Sequence, residues 1–187
     1  MPDIYLFPQL HALDFEVPAH GTHPAAERTP AMLRIEITGR EALELETLLL
    51  DLNGTIALDG ELLDGVAEAL APLLGVLRVV VVTADTHGRA DAIAKALGVA
   101  VEVIERGAEA EAKLALVEAA GPERCVVIGN GANDALALEL AAVGIAVVGP
   151  EGAAGVALRA ADVVVTDITA ALGLLSTPSR LIATLRR

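Results

Sequence analysis

A chain of 187 residues, 54% hydrophobic, is long enough for one sizeable core, and its formal charge of -13 excludes a nucleic-acid footprint, because phosphate backbones repel such a surface. One cysteine, Cys125, leaves no disulfide framework to build and points to a reducing cytoplasm; it sits in the apolar run Cys125-Val-Val-Ile, a core position. No stretch reaches the roughly 18 uninterrupted apolar residues of a membrane span, and the start Met1-Pro-Asp-Ile lacks a basic leader, so a soluble, unanchored protein is expected.

Residues 1–31 carry five of the nine prolines, three of the four histidines and all three aromatic residues. No helical or strand period survives those prolines, so an irregular arm is expected there, packed by Tyr5, Phe7 and Phe15. His11, His20 and His23 are too scattered to suggest a metal site. The compact domain is expected over 32–187. It opens with Met32-Leu-Arg-Ile-Glu-Ile, which alternates, turns at Thr38-Gly39-Arg40 and continues into Leu43 to Leu50: a hairpin whose second arm delivers Asp51. Asp59-Gly60 marks a further hairpin turn. Apolar runs then recur at Val76–Val82, Val99–Ile104, Cys125–Ile128, Ile145–Val148 and Asp162–Val165, and Ala/Leu/Glu-rich helical periods fall near 64–74, 87–97, 109–120, 132–141 and 151–160. Near-continuous Val/Ile strands alternating with helices mean an α/β fold: a parallel sheet covered on both faces. A final helix begins at Pro178 with Thr177 as its cap.

In such a sheet the right-handed crossovers bring the parallel strands out on one side, where ligands collect. Asp51 alone, followed by Leu52-Asn53-Gly54, reads as a turn. The strand ends together read otherwise: Asp51 with Asn53, Gly54 and Thr55; then Thr83, Ala84 and Asp85; then Gly129-Asn130-Gly131-Ala132-Asn133-Asp134. Polar residues cluster where a site belongs.

These segments resemble the haloacid dehalogenase (HAD) superfamily, and within it the phosphorylation domain of P-type ATPases. Asp51-x-x-Gly54-Thr55 is similar to the aspartyl-phosphate motif, Thr83-Ala84-Asp85 to the Thr-Gly-Asp segment, and 129–138 to the Gly-Asp-Gly-x-Asn-Asp stretch. Lys113, 17 residues before Asn130, falls in the helix where the family places its lysine, and "GIAVVG" followed by "AADVVV" matches its closing strands. The resemblance implies a Rossmann-like three-layer α/β/α domain without a cap and a Mg²⁺-dependent phosphohydrolase acting on phosphate esters or anhydrides.

The chemistry asks for the same residue types. A carboxylate that attacks phosphorus splits one hard displacement into two easier ones, so Asp51 is the expected nucleophile. Two anions must then approach, which calls for Mg²⁺ on hard oxygen ligands: Asp51, Asp134, Asn130 and the Asn53 carbonyl. Lys113 would neutralise phosphoryl oxygens, with the Thr83 hydroxyl and the backbone around Gly54, Thr55 and Ala84 donating hydrogen bonds. As one of two lysines beside eleven arginines, Lys113 stands out, although Glu109-Ala-Glu-Ala-Lys also fits a solvated helix face. Asn133 positions the phosphoryl group or caps the following helix. Asp85 would orient the Thr83 loop, and His87 reads as a surface residue at a helix start.

Two positions depart from the family. Phosphatases of this kind carry a second aspartate where Asn53 stands, to protonate the leaving group; an amide cannot. Asn130 replaces a metal-binding aspartate and supplies an uncharged oxygen. Turnover is therefore expected to be slow. The alternative is a catalytically weak or inactive member serving as a binding or regulatory protein. Thirty-two positions separate Asp51 from Thr83, room for a flap and one helix only, so the open site implies a bulky phosphorylated substrate or closure by a second subunit or by the arm. A dinucleotide reading of Gly129-x-Gly131 fits poorly, because Asp134 would face the pyrophosphate.

Overall fold

The computed structural model describes residues 32–84 and 89–186. The predicted arm with His11, His20 and His23, together with Asp85 and His87, lies outside the described residues. Strand β1 (Leu33–Ile35) pairs antiparallel with β2 (Leu43–Leu45), Leu33 opposite Leu45, which is the expected hairpin. Its second arm does not run unbroken to Asp51. The chain breaks at Glu46, and β3 (Thr47–Asp51) enters a different sheet. The Glu46 N–H donates to the Arg124 carbonyl at 2.9 Å, and its own carbonyl accepts from the Arg78 N–H at 2.8 Å. That backbone residue hands the chain from one sheet to the other. Burial changes accordingly, from alternation through Leu43–Leu45 to a continuous buried run through Leu50.

The hairpin of β4 (Ala57–Leu58) and β5 (Glu61–Leu62) turns at Asp59 and Gly60, with φ of 50° and 79°. Two positive φ values in a two-residue loop match the twist of the flanking strands, hence the Asp-Gly pair. In order there follow α1 (Val66–Leu70), extended by a 3₁₀ turn (Ala71–Leu73), β6 (Arg78–Thr83), α2 (Ala90–Leu97), β7 (Ala100–Val103), α3 (Glu109–Ala120) and β8 (Cys125–Gly129). A 3₁₀ turn (Ala132–Asp134) leads into α4 (Ala135–Leu140), then β9 (Val143–Val147), α5 (Gly155–Ala160), β10 (Val163–Val165), α6 (Ile168–Ser176) and α7 (Pro178–Leu185).

Several boundaries differ from the sequence expectation. Strand β6 starts two residues late because the N–H groups of Val76 and Leu77 both bond back to the Leu73 carbonyl. Helix α5 starts at Gly155 rather than near 151, since Gly149 to Gly152 close a tight turn (2.8 Å) and the Ala154 N–H is taken by the Asn130 carbonyl (2.8 Å). Helix α6 was not expected at all. "ITAALGLLS" is apolar on nearly every side, so it shows little amphipathic period; it buries Ile168, Ala171, Leu172, Leu174 and Leu175. Asp167 caps it, accepting the Ala170 N–H. Pro178 opens α7 as expected, but the Thr177 side chain makes no capping hydrogen bond.

The main sheet has the order β10-β9-β8-β3-β6-β7, and every pairing in it is parallel. Helices α1, α2, α6 and α7 cover one face around Leu48, Leu50, Val81, Val126, Ile128 and Ile145. On the other, α3, α4 and α5 meet Leu49, Val80, Val82 and Val127. No single helix among the described residues is long and apolar enough to cross a membrane.

The α4 side packs so closely on β9 that a Cβ added at Gly144 would lie 2.2 Å from the Leu138 carbonyl oxygen. Backbone cannot give way as a side chain does. Gly144→Ala is expected to cost about 1–3 kcal/mol, measured by urea denaturation, by forcing helix and strand apart.

The chain runs from β3 outward through β6 to β7, then returns to lay β8 on the other side of β3. That reversal opens a crevice at the carboxyl ends of β3 and β8, the usual ligand position in open α/β sheets.

Candidate active site

Asp51 closes β3 at this crevice, its side chain 12% exposed. Beyond it the chain folds back at once: the Leu52 carbonyl accepts the N–H groups of Ile56 (3.0 Å) and Ala57 (2.9 Å). Gly54 takes φ of 77°, which favours glycine, and its N–H donates to the Ala57 carbonyl at 2.8 Å. The expected role of the Gly54 N–H as a phosphoryl donor is corrected here, because the tight loop has already engaged it. Thr55 is fully buried. Its hydroxyl lies 3.2 Å from Asn130 Oδ1 and also within hydrogen-bond reach of the Asp51 carboxyl, and its single proton serves one of them at a time.

Lys113 shares the core-facing stripe of α3 with Val117, one turn later, and is 4% exposed. The solvated-face reading is thereby set aside. Its ammonium donates to Asp51 Oδ1 at 2.7 Å and to Asp134 Oδ1 at 2.5 Å. One cation thus holds two carboxylates from separate strand ends. Asp134, 1% exposed, accepts the N–H groups of Asn130 (2.9 Å) and Gly131 (2.8 Å) on its other oxygen. Its approach requires glycine at 129, where a Cβ would lie 2.4 Å from the carboxyl carbon. The capping role expected of Asn133 is not observed: the intervening 3₁₀ turn puts Asp134 immediately before α4, and the Asp134 side chain makes no capping hydrogen bond to that helix but reaches back to the N–H groups of Asn130 and Gly131.

Thr83 ends β6, buried, one residue beyond Val82, the partner of Asp51 in register; half-buried Ala84 follows. The structure therefore gathers Asp51, Asn53, Gly54, Thr55, Thr83, Ala84, Asn130, Asn133 and Asp134 on loops and strand ends at one rim, with Lys113 reaching in from α3.

Burial, and then the nearby Asp134 charge, push the Asp51 carboxyl up to about 7, against the opposing pull of Lys113 and Thr55. Burial lowers the Lys113 ammonium, but the two carboxylates outweigh it and the net direction is up. The lysine stays charged.

The donors converging here are hard oxygens, and Asn53 Oδ1 is buried with no hydrogen-bond partner among the described residues. Among those residues no three of His, Cys, Asp or Glu cluster closely enough to hold an ion by themselves. Two carboxylates supplemented by amide and carbonyl oxygens fit Mg²⁺, which keeps much of its water and takes few protein ligands. Beside the loop that follows Asp51 runs a groove of about 570 Å³, lined among others by Thr55, Asp64, Gly149, Pro150, Asp167 and Thr169. Sequence reasoning missed this groove, since it depends on the unforeseen start of α6.

Comparison with known proteins places this geometry among relatives. A curated protein of Methanocaldococcus jannaschii, uncharacterized, is 44% identical over 84 residues, 43% of this chain and 90% of the relative. The solved structure of 3-deoxy-D-manno-octulosonate 8-phosphate phosphatase from Moraxella catarrhalis, in complex with magnesium, phosphate and KDO, superposes with a TM-score of 0.59 at 19% identity, over 76% of this chain and 94% of that one. That likeness is one of fold. A zinc-transporting PIB-type ATPase in its E2.Pi state is 30% identical, TM-score 0.50, over 65% of this chain and 20% of the ATPase. The family model for haloacid dehalogenase-like hydrolases matches residues 13–142, most of the chain and all of the site through Asp134. With most of its length matched by that model, the chain belongs to the haloacid dehalogenase-like hydrolase family.

Proposed function

We propose that this hydrolase is a magnesium-dependent phosphohydrolase working through an aspartyl-phosphate on Asp51. The observation that carries the reading is the Lys113 ammonium, bonded to Asp51 and Asp134 together at the crevice where the sheet reverses. In the first step an Asp51 oxygen attacks phosphorus, the bond from phosphorus to the leaving oxygen breaks, and that oxygen takes a proton from water, because Asn53 has none to give. In the second, water attacks the same phosphorus, the bond to Asp51 breaks, and orthophosphate leaves as the water's proton passes to solvent. Mg²⁺, held by Asp51, Asp134, Asn130 and the Asn53 carbonyl, would screen the approach of the two anions. Lys113 balances charge on the phosphoryl oxygens, and the Thr83 hydroxyl donates to them. The groove beside Thr55 gives the leaving group a place to lie. The Moraxella phosphatase, bound to magnesium and phosphate, and the ATPase neighbour support the reading by analogy.

The test is a panel of phosphate esters and acetyl phosphate with Mg²⁺, followed by mass spectrometry of the peptide containing Asp51. A phosphoryl adduct on that residue is expected. No adduct and no turnover of any ester, in protein shown to be folded, would overturn the proposal. Asn53→Asp is expected to restore a proton-transfer group and to speed phosphoenzyme hydrolysis about 10²-fold or more, read in a single-turnover chase.

A further inference from the structure

We infer that Glu151 belongs to the cation site, holding water of the bound ion and supplying the negative charge that Asn130 lacks. The inference rests on the reading of the site as a Mg²⁺ site. A Cβ built on Gly54 would lie 2.4 Å from Asn130 Nδ2 and 2.7 Å from Glu151 Oε2, so both side-chain ends converge on the bare face of one glycine, three residues beyond Asp51. No larger residue leaves room for both.

Glu151 is carried to this position on a fixed support. It sits in the turn closed by the Gly152 N–H on the Gly149 carbonyl at 2.8 Å, and Asn130 fastens that turn to the end of β8. The Asn130 amide donates to the Gly152 carbonyl at 3.2 Å, and its backbone carbonyl accepts the Ala154 N–H at 2.8 Å. On the other side, a Cβ on Gly149 would stand 3.0 Å from the Gly54 carbonyl oxygen, so the turn also lies against the nucleophile loop.

This arrangement gives a physical reason for asparagine at 130. A carboxylate there would set an oxygen against the Gly152 carbonyl and bring a second anion up to Glu151. An amide satisfies the carbonyl and tolerates the neighbouring charge. The charge is moved from residue 130 to residue 151. Because Glu151 does not join Asp51 and Asp134 in a tight cluster, it acts through water, which Mg²⁺ retains readily.

Calorimetric Mg²⁺ titration of the full chain at fixed ionic strength tests this, with Glu151→Gln beside Glu139→Gln, an exposed glutamate on α4. Glu151→Gln is expected to weaken Mg²⁺ binding about tenfold, as loss of an outer-shell partner does. Glu139→Gln should leave it unchanged, and all three proteins should melt alike without metal. Combining Asn130→Asp with Glu151→Gln is expected to recover most of the lost affinity, a rescue that a merely structural role would not give. Wild-type affinity in Glu151→Gln, or a double variant that binds no better than the single one, overturns the inference and leaves the proposed function standing. A wild-type chain that binds no Mg²⁺ overturns both.

Discussion

Lys113→Met is expected to destabilise the fold by about 3–5 kcal/mol at neutral pH and to reduce phosphoenzyme formation by about 10²–10³-fold. Methionine keeps the length and apolar stem of lysine, so the packing on α3 survives and the loss isolates the charge. What remains is Asp51 facing Asp134 with no cation between them, both largely withdrawn from water. Removing one partner of a buried ionic group is costly because the others stay behind uncompensated. Without the ammonium the Asp51 carboxyl also loses the largest influence holding it down, so it keeps its proton to still higher pH and is a poorer nucleophile. Arginine is not expected to rescue the site, since its wide planar fork has no room where Lys113 is 4% exposed. Chemical denaturation paired with adduct formation measures both effects. Wild-type stability in Lys113→Met would show that the three charges do not meet as described.

Asp51→Asn should separate activity from stability in the opposite sense. Loss of the proposed nucleophile is expected to remove the phosphoryl adduct and at least about 10³-fold of turnover. Yet the metal-free variant should be more stable than wild type above neutral pH. The Asp51 carboxyl is raised from 3.8 to about 7 in the folded protein, so between those values the native state holds a proton that the unfolded chain has released. Stability therefore falls as pH rises across that window. Asparagine has no such proton, and Lys113 keeps Asp134 as a one-to-one partner. The gain is expected to be of order 1 kcal/mol above pH 7, vanishing in acid below the carboxylate range, as relief of functional-site strain commonly gives. Thermal melts of both proteins across pH, without divalent metal, check the sign.

The parallel sheet was legible because β3, β6, β8 and β9 are buried on both faces along almost their whole length and write that burial as runs rich in Val, Ile and Leu. Asp51, Lys113 and Asp134 were legible for a different reason: the phosphoryl transfer proposed for this site needs an anion, a cation and a second anion, and residue type discloses that need. Helix α6 was hidden because apolar residues on nearly every side of it mute the amphipathic signal. The break at Glu46 was hidden because only backbone partners from Arg78 and Arg124, distant in sequence, end β2 there. Glu151 was hidden because nothing local marks an acidic residue in a Gly-Pro-Glu-Gly turn as facing Gly54; that follows from Asn130 anchoring the turn.

The central place of β3 governs how the protein is made. Its outer neighbour on one side, β8, is encoded far downstream, with Leu48 pairing to Val126. During synthesis β3 must therefore wait as an open apolar edge until Cys125–Gly129 has left the ribosome. A ribosome stalled shortly before that point should yield a nascent chain prone to edge-to-edge association.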